Sequence, residues 1–243
     1  MKGIILAAGE GKRLRPVTNH IPKALSTVDG PTTILDIGIH NLRAIGVREV
    51  VIVTGYAADA IVRRQTDLEQ RHDVSISFVY NDKAVIWNNA YSLWCARGDF
   101  AKGAFVLNGD TVHPVDVEWR MLSKRNAGVT IALDDAKALG EEEMKVYLDE
   151  DGNLVRINKS LDPKLADGEY IGVTFIEANA AASLADALET TWRRDTTLYY
   201  EDAFQEYANR GGVIKATSTA GLTWIEVDTL EDLERAREIA CLY

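Results

Sequence analysis

Short apolar runs of strand length alternate along this chain with stretches in which apolar residues recur at helical spacing, and this alternation narrows the fold more than any other feature. Residues 3–8 (GIILAA) and 50–54 (VVIVT) are apolar without interruption by charge, the pattern of strands buried on both faces. Between them Ile34, Leu35, Gly38, Leu42 and Ile45 fall on one helical face, and Gly46 stands where that helix should stop. The rhythm predicts a helix over 58–71, a strand over 75–80, a helix over 91–97, a strand over 104–107, a helix over 115–125 and a strand over 129–133. Strands separated by helices pair side by side in parallel and are covered above and below. The expected class is therefore α/β, a mostly parallel sheet flanked by helices.

The middle of the chain breaks this rhythm. Residues 134–169 are charged, and Asp151-Gly152 lies between the apolar stretches 145–148 and 154–157, which predicts a hairpin in a small antiparallel insertion. Regularity returns with a strand over 170–176, helices near 179–190 and 199–209, short strands over 213–217 and 223–227, and a last helix from Leu230. With 47% apolar residues in 243, one domain spanning 1–243 can bury a substantial core.

Charge and cysteine usage remove several classes of function. A formal net charge of −10 argues against nucleic acid as a partner, since binding a polyanion needs clustered Lys and Arg. Any phosphate site must be local. Cys95 and Cys241 stand far apart and suggest neither a disulfide framework nor a zinc site. The apolar run at 3–8 is too short for a signal-peptide core, and no run reaches the roughly 18 residues of a membrane span. These features predict a cytoplasmic protein without membrane contact.

The segment 6–25, LAAGEGKRLRPVTNHIPKAL, follows the first strand directly. Gly9 and Gly11 let the backbone turn sharply and bring N–H groups against phosphate oxygens. Lys12, Arg13 and Lys23 add positive charge, Arg for bidentate contact and Lys as a mobile point charge. The spacing fits neither a dinucleotide fingerprint nor a Walker A loop, and an ordinary basic turn between strand and helix would also account for the glycines.

Two carboxylates stand after predicted strands. Asp110 follows AFVLNG, at the edge of an open α/β sheet where ligands gather, although Asn108-Gly109 is also a hairpin dipeptide. Asp228 lies in WIEVDT, where it or Thr229 could instead cap the helix from Leu230. Mg²⁺ held by one or two such carboxylates would neutralise charge on phosphate oxygens. His20, His40, His72 and His113 show no ligand spacing.

LAAGEGKRLRP followed by PKAL resembles the LAAGxGxRLxP…PKxL signature of the sugar-phosphate nucleotidyltransferase superfamily, with every fixed letter present. The resemblance runs from Lys2 into the final helix and implies a Rossmann-like mixed sheet. It implies a nucleotide wrapped by Leu6, Ala7, Ala8, Gly9, Gly11, Lys12 and Arg13, with Lys23 at the reacting phosphates. By the same resemblance Asp110 and Asp228 hold Mg²⁺, and Arg13, Lys23, Asp110 and Asp228 are the catalytic set.

Residues 80–96, YNDKAVIWNNAYSLWCA, together with YYEDAF and EVDTLEDL, are similar to the choline-phosphate cytidylyltransferase branch. In the wider family a polar residue at the position of Asn81 reads the base, with Asn88 close to it, and the branch implies CTP. Trp87, Tyr91, Tyr199 and Tyr200 beside Glu201 and Asp202 offer the faces and charges that a quaternary ammonium requires, although a helix in this position would also bury its aromatics. Lys159 resembles a second lysine that holds the acceptor phosphate, and Tyr170-Ile-Gly-Val departs from the Asn-Ala-Gly-Ile of hexose-phosphate relatives. The expectation is transfer of CMP from CTP to a small phosphomonoester such as phosphocholine, with release of pyrophosphate. A sugar or cyclitol 1-phosphate with another triphosphate, and a non-catalytic nucleotide-sugar sensor, are the rival readings, and a homodimer is left open.

Overall fold

The computed structural model describes residues 1–125 and 128–240; Cys241 lies outside them. The first half of the chain forms β1 (Lys2–Ala7), a hairpin of β2 (Thr27–Asp29) and β3 (Thr32–Thr33), α1 (Ile34–Ala44), β4 (Glu49–Thr54), α2 (Ala58–Val62), α3 (Gln65–His72), β5 (Ser75–Tyr80), α4 (Asn89–Cys95), β6 (Ala104–Asn108), β7 (Thr111–Val112) and α5 (Asp116–Ser123). The second half forms β8 (Val129–Asp134), β9 (Lys145–Leu148), β10 (Leu154–Asn158), β11 (Gly168–Ile176), α6 (Ala181–Arg194), α7 (Tyr200–Asn209), β12 (Ile214–Ser218), β13 (Ile225–Glu226) and α8 (Leu230–Ala240).

The main sheet runs β10-β9-β11-β6-β1-β4-β5, with β8 joined to β11 and β12 joined to β8. Strands β6, β1, β4 and β5 are parallel neighbours, so their carboxyl ends share one edge. Strand β11 runs antiparallel to β6, which makes the sheet mixed. Gly152 takes a left-handed turn between β9 and β10, and this hairpin pairs through β9 with β11, extending the main sheet instead of standing apart.

Successive residues of the central strands enter opposite layers, which explains their unbroken apolar runs. Ile4, Val51, Val53 and Val106 pack with Leu93, Leu184, Leu188 and Phe204 of α4, α6 and α7. Ile5, Val50, Ile52 and Leu107 face the other way, against Leu42, Leu68 and Met121 of α1, α3 and α5. A smaller third cluster joins Leu14 of the glycine-rich loop to Val112, Ile225, Val227 and Leu233. This cluster binds the loop to the segment that carries Asp228.

Two expectations need correction. The helix expected over 58–71 is two helices separated at Arg63 and Arg64. Ile61 and Leu68 are both fully buried and are spaced as one continuous helix would space them, so the pattern hides the break. The strand expected over 223–227 shrinks to Ile225–Glu226 and leaves the main sheet to pair antiparallel with the unforeseen β7.

Helix α1 starts on a capping box in which Thr33 and Asp36 exchange hydrogen bonds. Asp36 is 2% exposed and also accepts from Arg71 at 2.9 Å and contacts His72 Nε2 at 3.0 Å. Burial opposes its ionisation, but His72, the Thr33 hydroxyl and backbone N–H, and Arg64 overcome that and hold the carboxyl well below the usual range. A folded-state pKa below the unfolded value of about 3.9 stabilises the fold above that pH, and the stabilisation is lost as pH falls toward the lowered native value. Asp36→Asn should therefore cost about 3 kcal/mol at neutral pH and flatten the loss of stability below about pH 4. Urea unfolding between pH 7 and pH 3 measures both; an unaltered acid slope would contradict the assignment.

Candidate active site

The turn after β1 begins with Ala8 and Gly9 and closes at Gly11, whose φ of 61° places it in the left-handed region. A Cβ at Gly11 would meet the Lys23 Cβ at 3.0 Å, so the missing side chain lets the stem of Lys23 lie against the loop. The Thr18 hydroxyl donates to the Gly11 carbonyl at 2.8 Å and closes the turn from outside. Lys12 and Arg15 both pair with Glu10, while Arg13 reaches across to Asp228 at 2.7 Å.

Asp110 follows the carboxyl end of β6. The Asn108-Gly109 dipeptide makes no hairpin, because β6 pairs with β1 and β11, whereas β7 pairs with β13. Gly109 donates its N–H to the Leu6 carbonyl at 3.0 Å, and a Cβ there would lie 2.5 Å from that oxygen. The glycine is thus required by close backbone approach. Val227 donates to the Asp110 carbonyl at 2.8 Å, which ties the two carboxylate-bearing segments together. The cap of α8 is made by Thr229 and Asp232: the Thr229 N–H and hydroxyl both donate to Asp232 at 2.8 Å. The carboxylate of Asp228 is therefore free of the capping role.

Lys23 Nζ lies 2.7 Å from Asp110 and 2.8 Å from Asp228. Burial works against its charge, yet the two carboxylates hold its pKa above the ordinary lysine value. Asp228 is lowered in turn: Lys23, Arg13 and Lys159 outweigh the effect of burial. Glu226, absent from the sequence expectations, joins Asp110 and Asp228 in a group whose carboxylate oxygens lie within 4.8 Å of one another. Much of its side chain is open to solvent, and the hydration lost at the cleft floor, with the neighbouring charges of Asp110 and Asp228, raises its pKa above the ordinary carboxyl range. The strand alternation Glu226-Val227-Asp228, with only Val227 buried, was the available signal, since residues two apart share a face. Asp110 Oδ1 is buried without a hydrogen-bond partner, and the three carboxylates are hard oxygen donors of the kind that can hold a divalent cation.

These groups line one open cleft of about 470 Å³, together with Leu6, Ala8, Gly9, Gly11, Lys12, Trp87, Asn88, Ser92, Glu142, Lys159, Tyr170, Gly172, Tyr199 and Glu201. Other expected residues are placed elsewhere. Ala7 is buried in the layer below β1 and paired with Thr54, so it offers the cleft no side chain. Asn81 is 1% exposed. Its amide donates to Ser92 Oγ and accepts from the Lys83 N–H, both at 2.8 Å, so it is engaged away from the cleft and braces Ser92, which does line it. Asn88 reaches the wall, but its amide caps α4 and donates to the Thr197 carbonyl.

The expected cation pocket is likewise divided. Tyr91 packs edge-on against Trp87 and Trp192 and stacks on Trp94. Tyr200 is fully buried and hydrogen-bonded to Asn108 and Tyr170. Asp202 accepts the Tyr199 N–H at 2.8 Å as the cap of α7. Only Trp87, Tyr199 and Glu201 of that set face the cleft. In these cases protein groups already engage the polar or aromatic side chain that the sequence offered to a ligand.

Comparison with known proteins agrees with this architecture. The chain is 26% identical over 242 residues to the choline-phosphate cytidylyltransferase of Streptococcus pneumoniae, covering 98% of each. It is 29% identical over 237 residues to the bifunctional IPC transferase and DIPP synthase of Aquifex aeolicus, covering 97% of this chain and 50% of that one. The inositol-1-phosphate CTP transferase from T. maritima superposes with a TM-score of 0.79 at 21% identity, over 98% of this chain and 95% of the other. Residues 2–136, which carry the glycine-rich loop, Lys23 and Asp110, match the model described as Nucleotidyl transferase, and the chain belongs to that family.

Proposed function

We propose that this protein transfers CMP from CTP to a small phosphomonoester such as phosphocholine and releases pyrophosphate. The observation that carries the reading is Lys23 held between Asp110 and Asp228 directly beneath the glycine-rich loop. In this reading the backbone N–H groups of the loop and the guanidinium of Arg13 bind the triphosphate. Lys159, which also lines the cleft, takes the acceptor phosphate. An acceptor oxygen forms the new bond to the α-phosphorus as the bond to the bridging oxygen breaks, and the electron pair leaves with pyrophosphate. Lys23 offsets the charge that gathers on the oxygens around that phosphorus. Asp110, Asp228 and Glu226 would hold Mg²⁺, which supplies further neutralisation of phosphate charge. In this reading Ser92, which lines the cleft, meets the base, and Asn81, which donates to its hydroxyl oxygen, sets its orientation.

Pyrophosphate release across CTP, UTP, GTP and ATP with a panel of phosphomonoesters tests the proposal. CTP should lead, and removal of divalent metal should stop turnover. Arg13→Ala should raise KM for CTP roughly tenfold, the loss of one charge-assisted contact, with a smaller change in kcat. No pyrophosphate with any pairing would overturn the reading.

A further inference from the structure

Asn108 stands at the carboxyl end of β6, level with Leu6 on β1 and two residues before Asp110. Its side chain is partly buried and lines the cleft. We propose that the Asn108 amide donates N–H to a phosphate oxygen of the substrates, and that Tyr200 is the positioning residue that turns the amide toward them. This rests on the transferase reading above.

A chain of buried hydroxyls fixes which end of the amide faces the cleft. In β11 the register against β8 shifts between Tyr170 and Thr174, and Gly172 takes a φ of 82° inside that bulge. The Tyr170 and Thr174 hydroxyls there lie 2.7 Å apart. Tyr170 reaches Tyr200 at 3.0 Å, and the Tyr200 hydroxyl donates to Asn108 Oδ1 at 2.8 Å. A carbonyl oxygen only accepts, and each hydroxyl has one proton to give. The protons therefore run one way, from Thr174 to Tyr170 to Tyr200 to Asn108. Burial, the largest cause, holds both phenols above the ordinary tyrosine pKa, so neither loses its proton at neutral pH.

The amide nitrogen is left over. Nδ2 has no acceptor among the described residues and is not sealed from the cleft. A Cβ at Gly172 would come within 2.6 Å of it, so that glycine makes room for the amide. The loop that follows Leu6, and Lys23 paired with Asp110, flank the same part of the cleft. In the transferase reading the ligand atoms between them are phosphate oxygens, and an N–H donated to a charged oxygen is among the stronger hydrogen bonds.

Asn108→Asp tests the contact directly. It keeps the size of the side chain and the oxygen that accepts from Tyr200, and exchanges the N–H donors for a negative charge. With the leading triphosphate and acceptor of the panel above, kcat/KM should fall about a hundredfold, and for Asn108→Ala about thirtyfold, while thermal melts show both variants folded. Varying CTP and acceptor in turn shows whose phosphate loses the bond; a larger fall for either supports the proposal. Tyr200→Phe should cost about threefold, since Tyr170 can turn its proton back to Thr174 while the amide loses its anchor. In the Asn108→Ala background the same change should cost almost nothing, whereas a packing role for the hydroxyl would cost the same in both. Full activity in Asn108→Asp or Asn108→Ala would overturn the substrate contact, and equal losses in both backgrounds would overturn the positioning by Tyr200. Where both Asn108 variants fail to fold, an unchanged kcat/KM in Tyr200→Phe overturns the proposal. No pyrophosphate from the unaltered chain with any pairing would instead sink the transferase reading itself.

Discussion

Asp110→Asn should lower kcat about a thousandfold, the scale expected when a charge directed at the reacting phosphates is removed from a preorganised site. The substitution keeps the size of the side chain, and the backbone carbonyl of residue 110 can still accept from Val227, so the segment between β6 and β7 should hold its place. Lys23 also retains Asp228 at 2.8 Å. The loss should therefore fall on turnover while thermal unfolding shifts little. If Asp110 is a metal ligand, the Mg²⁺ concentration for half-maximal activity should rise as well, because two carboxylates replace three. A folded variant with near-normal turnover and unchanged Mg²⁺ dependence would exclude the assignment.

Lys23→Met separates the charge of this residue from its packing. Methionine preserves an apolar stem against Gly11, which leaves no room for a Cβ of its own there, and removes only the ammonium. We expect kcat to fall by roughly two to three orders of magnitude with KM for CTP changed much less, as for a contact that strengthens toward the transition state. A second effect follows from the neighbours. Without Lys23 the oxygens of Asp110, Glu226 and Asp228, all within 4.8 Å, lose their one directly paired buried cation, leaving only Arg13 on the rim and the more distant Lys159 to offset them. The variant should lose about 2 kcal/mol of stability, discounted from fully buried pairs because the two aspartates are partly exposed. Mg²⁺ should restore more stability to the variant than to the parent chain, since a cation bound only by the folded form stabilises it by mass action. Thermal melts with and without Mg²⁺, beside steady-state kinetics, check both effects; a loss confined to KM would refute the role given to Lys23.

The local pattern of the chain settled a good deal. Unbroken apolar runs such as 3–8 and 50–54 can be stable only as strands covered on both faces, and they are β1 and β4 with cores above and below. Glycine at 152 between two apolar stretches made a hairpin because a left-handed turn there costs glycine little. The basic glycine-rich turn after β1 and an aspartate at the end of β6 were readable because both depend on short-range backbone geometry.

Long-range contacts decided the rest. Whether Asn108-Gly109 closed a hairpin depended on which strand Thr111 and Val112 would meet, and they meet β13, more than a hundred residues later. Asp228 was freed from capping because Thr229 and Asp232 fill that role, and a sequence shows only that several residues could. Asn81, Tyr91 and Tyr200 carry groups suited to a ligand, but Ser92, Trp192 and Asn108 satisfy or cover them first. A polar or aromatic side chain records what it can bind, whereas its actual partner depends on which neighbours the folded chain brings within reach. Glu226 shows the converse: its i, i+2 spacing from Asp228 hints at a shared face, but its place beside Asp110 arises from the pairing of β13 with β7, which no local pattern reveals.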